Sequence, residues 1–140
     1  MKTVQHIAHV VGSTGSAEPA YRIDLRVGAH QLVADEPGTA GGGDAGPSPF
    51  GLLLSALASC TAMTLRMYAA RKGWELTTVE VDVRYDVDEE GPRIARTVTV
   101  PFDFPAEQRE RLADIADRTP VTLAVRAGTP ITTTFLMPPG

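Results

Sequence analysis

The sequence predicts an α/β domain of the α+β type, in which antiparallel strands pack on one long central helix. Two patterns carry this prediction: an uncharged apolar stretch at 50–65, and a regular alternation of apolar and polar residues at 78–104. A length of 140 residues is normal for one domain, so residues 1–140 are treated as a single domain. A chain of this size buries enough surface to fold without disulfides or metals.

The long helix is expected at 48–72. Ser48 suits the N-cap, Pro49 suits the first turn, and Gly73 suits the position after the last turn. The charge-free stretch FGLLLSALASCTAMTL has 16 residues, fewer than the roughly 20 that cross a bilayer. It therefore predicts a helix buried in protein and not in a membrane. One small subunit has little material to cover such a helix, which favours a homodimer.

Strand and loop signals fill the rest of the chain. Strands are expected in the N-terminal part, 1–34, because Tyr21, Ile23, Leu25 and Val27 alternate with polar residues. For 121–125, a helical turn and a short strand both remain open. The other expected elements are a glycine- and proline-rich loop at 35–49, a hairpin at 78–104, a second helix at 105–118 and a last strand at 131–136.

Composition excludes several classes of function. The net charge of −4 and the absence of a basic stripe argue against nucleic-acid binding. The N-terminal MKTVQHIAHV lacks the apolar core of a signal peptide, so a cytoplasmic location is expected. No phosphate-binding glycine motif or zinc motif is present, so neither a cofactor nor a metal is expected.

Cys60, the only cysteine, is the residue on which chemistry would depend. A lone buried cysteine is often inert packing. A reactive one needs solvent access and a nearby cation that stabilises the thiolate. In the middle of a helix it gains little from the helix dipole, so an arginine from elsewhere in the fold would have to approach it.

Four segments resemble the OsmC/Ohr family of osmotically induced and organic hydroperoxide resistance proteins. They are GPSPFGLLLSALASCTAMTLRMYAARKGW, VEVDVRYD, ADRTPVTLAV and ITTTF, which together span most of the chain. The resemblance implies an OsmC-like fold and an intertwined homodimer whose central helices pack against sheets from both subunits. It also implies thiol-dependent reduction of organic hydroperoxides at the dimer interface.

The resemblance assigns site residues one by one. Cys60 matches the peroxidatic cysteine, and Arg22, with Arg26 as the alternative, matches the activating arginine. Phe50 and Gly51 occupy the places where the family's glutamate is expected, and Thr119 stands where relatives have a second cysteine. Phe50 and Thr119 are expected to line the substrate pocket.

Two functions follow from this incomplete residue set. In the first, Cys60 reduces organic hydroperoxides and an external thiol regenerates it, since Thr119 cannot form a disulfide. In the alternative, the protein is a non-catalytic OsmC-like dimer that binds a small hydrophobic ligand at its interface, and Cys60 is only packed there.

Overall fold

A computed structural model of the chain describes residues 4–14 and 21–139. The chain divides into two compact units, Met1–Ser55 and Ala56–Gly140.

The first unit contains a three-stranded antiparallel sheet. Its strands are β1 (Val10–Ser13), β2 (Ile23–Val27) and β3 (His30–Ala34), in the order β1-β2-β3. The side chains of β2 alternate between half-buried and exposed, as its sequence pattern predicts. Gly28, at φ +59°, makes the tight turn that pairs Val27 with His30. The first strand begins at Val10, and residues 4–9 carry no regular secondary structure.

A buried carboxylate organises the glycine-rich loop that follows β3. Asp35 is almost fully buried, and its side chain accepts hydrogen bonds from the backbone N–H groups of Glu36 at 2.8 Å and Ala45 at 3.1 Å. The Asp35 N–H donates to the Pro47 carbonyl at 3.1 Å and closes the base of the loop. A short 3-10 helix, Gly38–Ala40, lies within it. The loop therefore has a defined hydrogen-bonded structure, although its composition alone indicates only flexibility.

Asp35 makes the first unit sensitive to acid. The N–H of Ala45, together with the N–H groups of Glu36 and Gly43, holds the pKa of Asp35 below its ordinary value of 3.8 against the opposing effect of burial. Stability from this group is therefore complete above the unfolded-state pKa and is lost as the pH falls through the lower folded-state pKa. We expect urea unfolding to show a loss of stability as the pH falls below about 5.

Asp35→Asn is expected to reduce this loss of stability at low pH. The pKa of Asp114 is also lowered, chiefly by its hydrogen bond from Arg118, so Asp114→Asn is the matched control for the remaining acid dependence. A loss of stability at low pH that is the same in Asp35→Asn as in the unchanged protein would contradict the role assigned to Asp35.

The long helix, α1, runs from Pro49 to Lys72. The Ser48 hydroxyl accepts a hydrogen bond from the Gly51 N–H at 3.1 Å, which is the N-cap that the sequence predicts. At the other end Gly73 has φ +73°, and the Trp74 N–H bonds to the Ala69 carbonyl at 2.9 Å.

The buried side of α1 is one stripe with a spacing of four residues. Its members are Leu57, Thr61, Leu65 and Ala69. Within the described residues, α1 is the one helix long and apolar enough to span a membrane, a test that core helices of soluble proteins also pass. Only 17% of its most apolar window is buried within the subunit. The sequence predicts a helix that is buried on all sides, and the subunit alone does not bury it in this way.

The second unit packs a hairpin and two short helices on α1. The hairpin joins β4 (Glu80–Asp88) to β5 (Gly91–Thr99), and the helices are α2 (Ala106–Ala116) and α3 (Pro120–Ala127). The hairpin is shorter than the expected 78–104. Segment 121–125, for which the sequence allows a helical turn or a short strand, is helical. The buried core consists of Leu65, Ala69, Leu76, Phe104, Leu112 and Ala116.

Residues 131–136, where the sequence predicts a last strand, have no regular secondary structure. Ile131, Phe135 and Leu136 are exposed. A strand is stabilised by hydrogen bonds to a neighbouring strand, and no strand of the described subunit pairs with this segment.

Candidate functional site

Cys60 lies in the middle of α1 and is partly buried. Its Sγ lies 3.9 Å from Thr64 Oγ1, one turn further along the helix. Met63 and Met67 follow at helical spacing on the same side, with 59% and 60% of their surface exposed. The thiol thus borders the apolar side of α1 that the subunit leaves open.

Thr61, the next residue, faces the interior and has no exposed surface. Its hydroxyl donates to the Leu57 carbonyl at 2.6 Å and accepts a hydrogen bond from Arg96 Nη1 at 2.9 Å. The guanidinium of Arg96, from the hairpin, therefore binds α1 at the residue next to Cys60. Its hydrogen bond goes to the Thr61 hydroxyl.

Arg96 joins three helices to the hairpin. Its Nη1 also donates to Thr122 Oγ1 of α3 at 2.7 Å, and its Nη2 donates to the Ala116 carbonyl at the end of α2 at 2.8 Å. The Arg96 side chain is only 14% exposed, and the carboxylate with which it pairs, Asp117 Oδ1, is 3.8 Å away at the surface. The guanidinium of Arg96 therefore donates its hydrogen bonds mainly to neutral hydroxyl and carbonyl oxygens.

Thr119 completes this polar network. It is fully buried, and its hydroxyl lies 2.6 Å from that of Thr122. A continuous chain of hydrogen bonds therefore leads from Thr119 through Thr122 and Arg96 to Thr61. In the part of the chain that the structure describes, every buried side-chain nitrogen and oxygen has a partner.

Sequence reasoning missed Arg96, although a signal was present. In β5, Ile94, Arg96 and Val98 occupy alternate positions and therefore face the same side of the hairpin. An arginine at an inward-facing strand position is costly unless its donors are satisfied, so the pattern indicates a buried network.

The other predicted site residues are placed as follows. Arg22 and Arg26 belong to the first unit, where Arg22 bonds to Asp24 at 3.4 Å. Phe50 lies in the first turn of α1 with 56% of its surface exposed. The approach of either arginine to Cys60, and a pocket lined by Phe50 and Thr119, stay predictions. Among residues 4–14 and 21–139, no group of three or more possible metal ligands is found.

A family model described as OsmC-like protein matches residues 41–134, about two thirds of the chain. The chain belongs to the OsmC-like family. The matched segment includes α1, the hairpin, α2 and α3, and therefore the whole network around Arg96. No curated protein matches the sequence.

Solved structures share the fold of this OsmC-like protein. The OsmC-like protein of Mycoplasma pneumoniae is 16% identical, with a TM-score of 0.68 over 90% of this chain and 92% of that one. OhrB, the organic hydroperoxide resistance protein of Bacillus subtilis, is 23% identical, with a TM-score of 0.58 over 88% and 93%. A Legionella pneumophila organic hydroperoxide resistance protein is 18% identical, with a TM-score of 0.64 over 89% and 92%. The predicted family and fold class are confirmed.

Proposed function

We propose that this OsmC-like protein reduces organic hydroperoxides through Cys60 alone, and that an external thiol regenerates the cysteine. The observation that carries the proposal is a partly buried thiol at the open apolar side of α1. It is supported by the fold shared with two organic hydroperoxide resistance proteins. An apolar surface beside a thiol suits a peroxide with an alkyl tail.

The chemistry needs two equivalents of thiol for each turnover. The Cys60 thiolate attacks the terminal peroxide oxygen, the O–O bond breaks, and the alcohol leaves with one proton. This oxidises Cys60 to the sulfenic acid. A first external thiol displaces water to form a mixed disulfide, and a second one releases Cys60 and the external disulfide.

Thr119 is the reason for assigning the second half of this cycle to an external reductant. Its buried hydroxyl is bonded to Thr122, and a hydroxyl cannot condense with a sulfenic acid to form a disulfide. Because small reducing thiols are abundant in the cytoplasm, the proposal places the protein there, in the response to oxidative stress. Arg22, with Arg26 as the alternative, is proposed to stabilise the thiolate.

Trapping of the sulfenic acid tests the proposal. Reduced protein receives one equivalent of cumene hydroperoxide and then dimedone, and peptide mass spectrometry locates the adduct. We expect the adduct on Cys60 and one equivalent of cumyl alcohol. An unmodified Cys60 that also resists a thiol reagent in the folded protein would contradict the peroxidase function.

That negative result would favour the second function, a dimer that binds a small hydrophobic ligand without chemistry. The observation in its favour is that Sγ has a neutral hydroxyl at 3.9 Å as its hydrogen-bonding neighbour, while the guanidinium of Arg96 is bonded to Thr61. An apolar molecule retained by the purified protein would support this function.

Thr119→Cys is expected to change the way the protein responds to excess peroxide. The resemblance puts at this position the second thiol that forms a disulfide with the peroxidatic cysteine. We expect a disulfide between Cys60 and the introduced cysteine, seen as the loss of two hydrogens by mass spectrometry. We also expect about tenfold less overoxidation to sulfinic acid than in the unchanged protein, because disulfide formation competes with the second oxidation.

Thr119→Ser keeps the hydroxyl and is the control for this variant. Overoxidation in Thr119→Cys equal to that in Thr119→Ser would show that position 119 cannot reach Cys60.

We also propose that the protein is a homodimer. The open side of α1 around Met63 and Met67, and the exposed Ile131, Phe135 and Leu136, are apolar surfaces that a second copy would cover. In the dimer, segment 131–136 is proposed to pair as a strand with the partner. Sedimentation should give twice the chain mass of 14.9 kDa, and a monomer at micromolar concentration would exclude this assembly.

A further inference from the structure

An open cavity of about 560 Å³ lies between the hairpin and α3, within the second unit. This volume is in the range of small-molecule pockets. Its apolar wall comes from Val83 and Ile94 of the hairpin, Leu57 of α1 and Val125 of α3. Cys60 is not among its lining residues.

The charges around the cavity are mainly positive. Arg93, Arg96 and Arg126 line it, against one carboxylate, that of Asp117. The chain as a whole has a net charge of −4, so this is a local reversal of its charge. Positive groups around a concave surface raise the local concentration of anions.

The three arginines differ in what they can offer a ligand. Arg96 is only partly exposed, and its Nη1 and Nη2 are bonded to Thr61, Thr122 and Ala116. Arg93 and Arg126 are exposed. Arg93 pairs with Asp88, and Arg126 donates to the Asp117 carbonyl at 3.1 Å. Surface contacts of this kind are weak, so an incoming anion can replace them at small cost.

From this combination we infer that the cavity binds a small organic anion, namely a carboxylate with a short apolar tail. The head group lies at Arg93 and Arg126, where a guanidinium can hold both carboxylate oxygens. The tail lies against Val83, Ile94 and Val125 and is removed from water. Cys60 does not line the cavity, so this inference does not rest on the peroxidase chemistry proposed for the thiol.

Titration calorimetry with octanoate tests the inference, and octanol is the uncharged control of equal chain length. The measurement uses the Cys60→Ser protein, so that its result does not depend on the proposed peroxidase activity. We expect octanoate to bind at least about tenfold more tightly than octanol, and increasing salt to reduce this difference.

Two variants locate the site. Arg93→Gln combined with Arg126→Gln should weaken octanoate binding by about tenfold and leave octanol unchanged. Ile94→Trp should fill the apolar part and weaken both ligands. Arg84→Gln is the matched control, because Arg84 is an exposed hairpin residue, paired with Asp82, that does not line the cavity.

The inference is overturned if octanoate does not bind. It is also overturned if octanoate and octanol bind equally, or if Arg84→Gln weakens octanoate as much as the paired substitution of the cavity arginines does.

Discussion

Cys60→Ser is expected to reduce the consumption of cumene hydroperoxide by at least about a hundredfold in the presence of dithiothreitol. The thiolate is the nucleophile in the proposed cycle, and a serine hydroxyl is not ionised at neutral pH and forms no sulfenic acid. Loss of the peroxide in a coupled or colorimetric assay measures the effect. Serine is close to cysteine in size, so the helix should remain folded.

Thr64→Val is the control for this substitution. It removes the hydroxyl 3.9 Å from Sγ but keeps the thiol, so most of the activity should remain. Far-ultraviolet circular dichroism should show unchanged helix content in both variants. Hydroperoxide consumption that persists in Cys60→Ser would exclude Cys60 as the reacting group.

The elements with strong local signals could be predicted from the sequence. Helix α1 has its cap at Ser48 and its end at Gly73 because both signals are local and depend on backbone geometry near the residue itself. The hairpin likewise follows from its alternation. Val83 and Tyr85 lie on one face of the hairpin, and their cross-strand partners on that same face are Arg96 and Ile94.

Features that depend on distant partners could not be predicted in the same way. The partners of Arg96 lie 20 to 35 residues away in sequence and come from three helices. Asp35 organises its loop through the N–H of Ala45, ten residues later. Segment 131–136 has strand composition, but a strand needs a neighbouring edge, and which edge it receives is a matter of tertiary or quaternary structure.

The two sides of α1 explain how structure and proposed chemistry coexist on one helix. Consecutive helical residues differ in direction by about 100°. Cys60 therefore borders the open side with Met63 and Met67, while Thr61 faces the interior and receives Arg96. The network can fix the position of the helix without using the thiol as a partner.

Arg96→Met is expected to lower the free energy of unfolding by about 3 kcal/mol. Hydrogen bonds from a charged donor contribute about 1.5–3 kcal/mol each and are not additive. The variant leaves Thr122 Oγ1 and the Ala116 carbonyl without their charged donor, while the methionine keeps an apolar stem of similar length. Urea unfolding followed by Trp74 fluorescence measures the change.

Arg84→Met on the outward face of the same hairpin is the matched control. Arg84 is exposed and pairs only with Asp82 across 3.4 Å, so its loss should change the free energy by less than about 0.5 kcal/mol. Equal effects of Arg96→Met and Arg84→Met would show that the buried network does not stabilise the second unit.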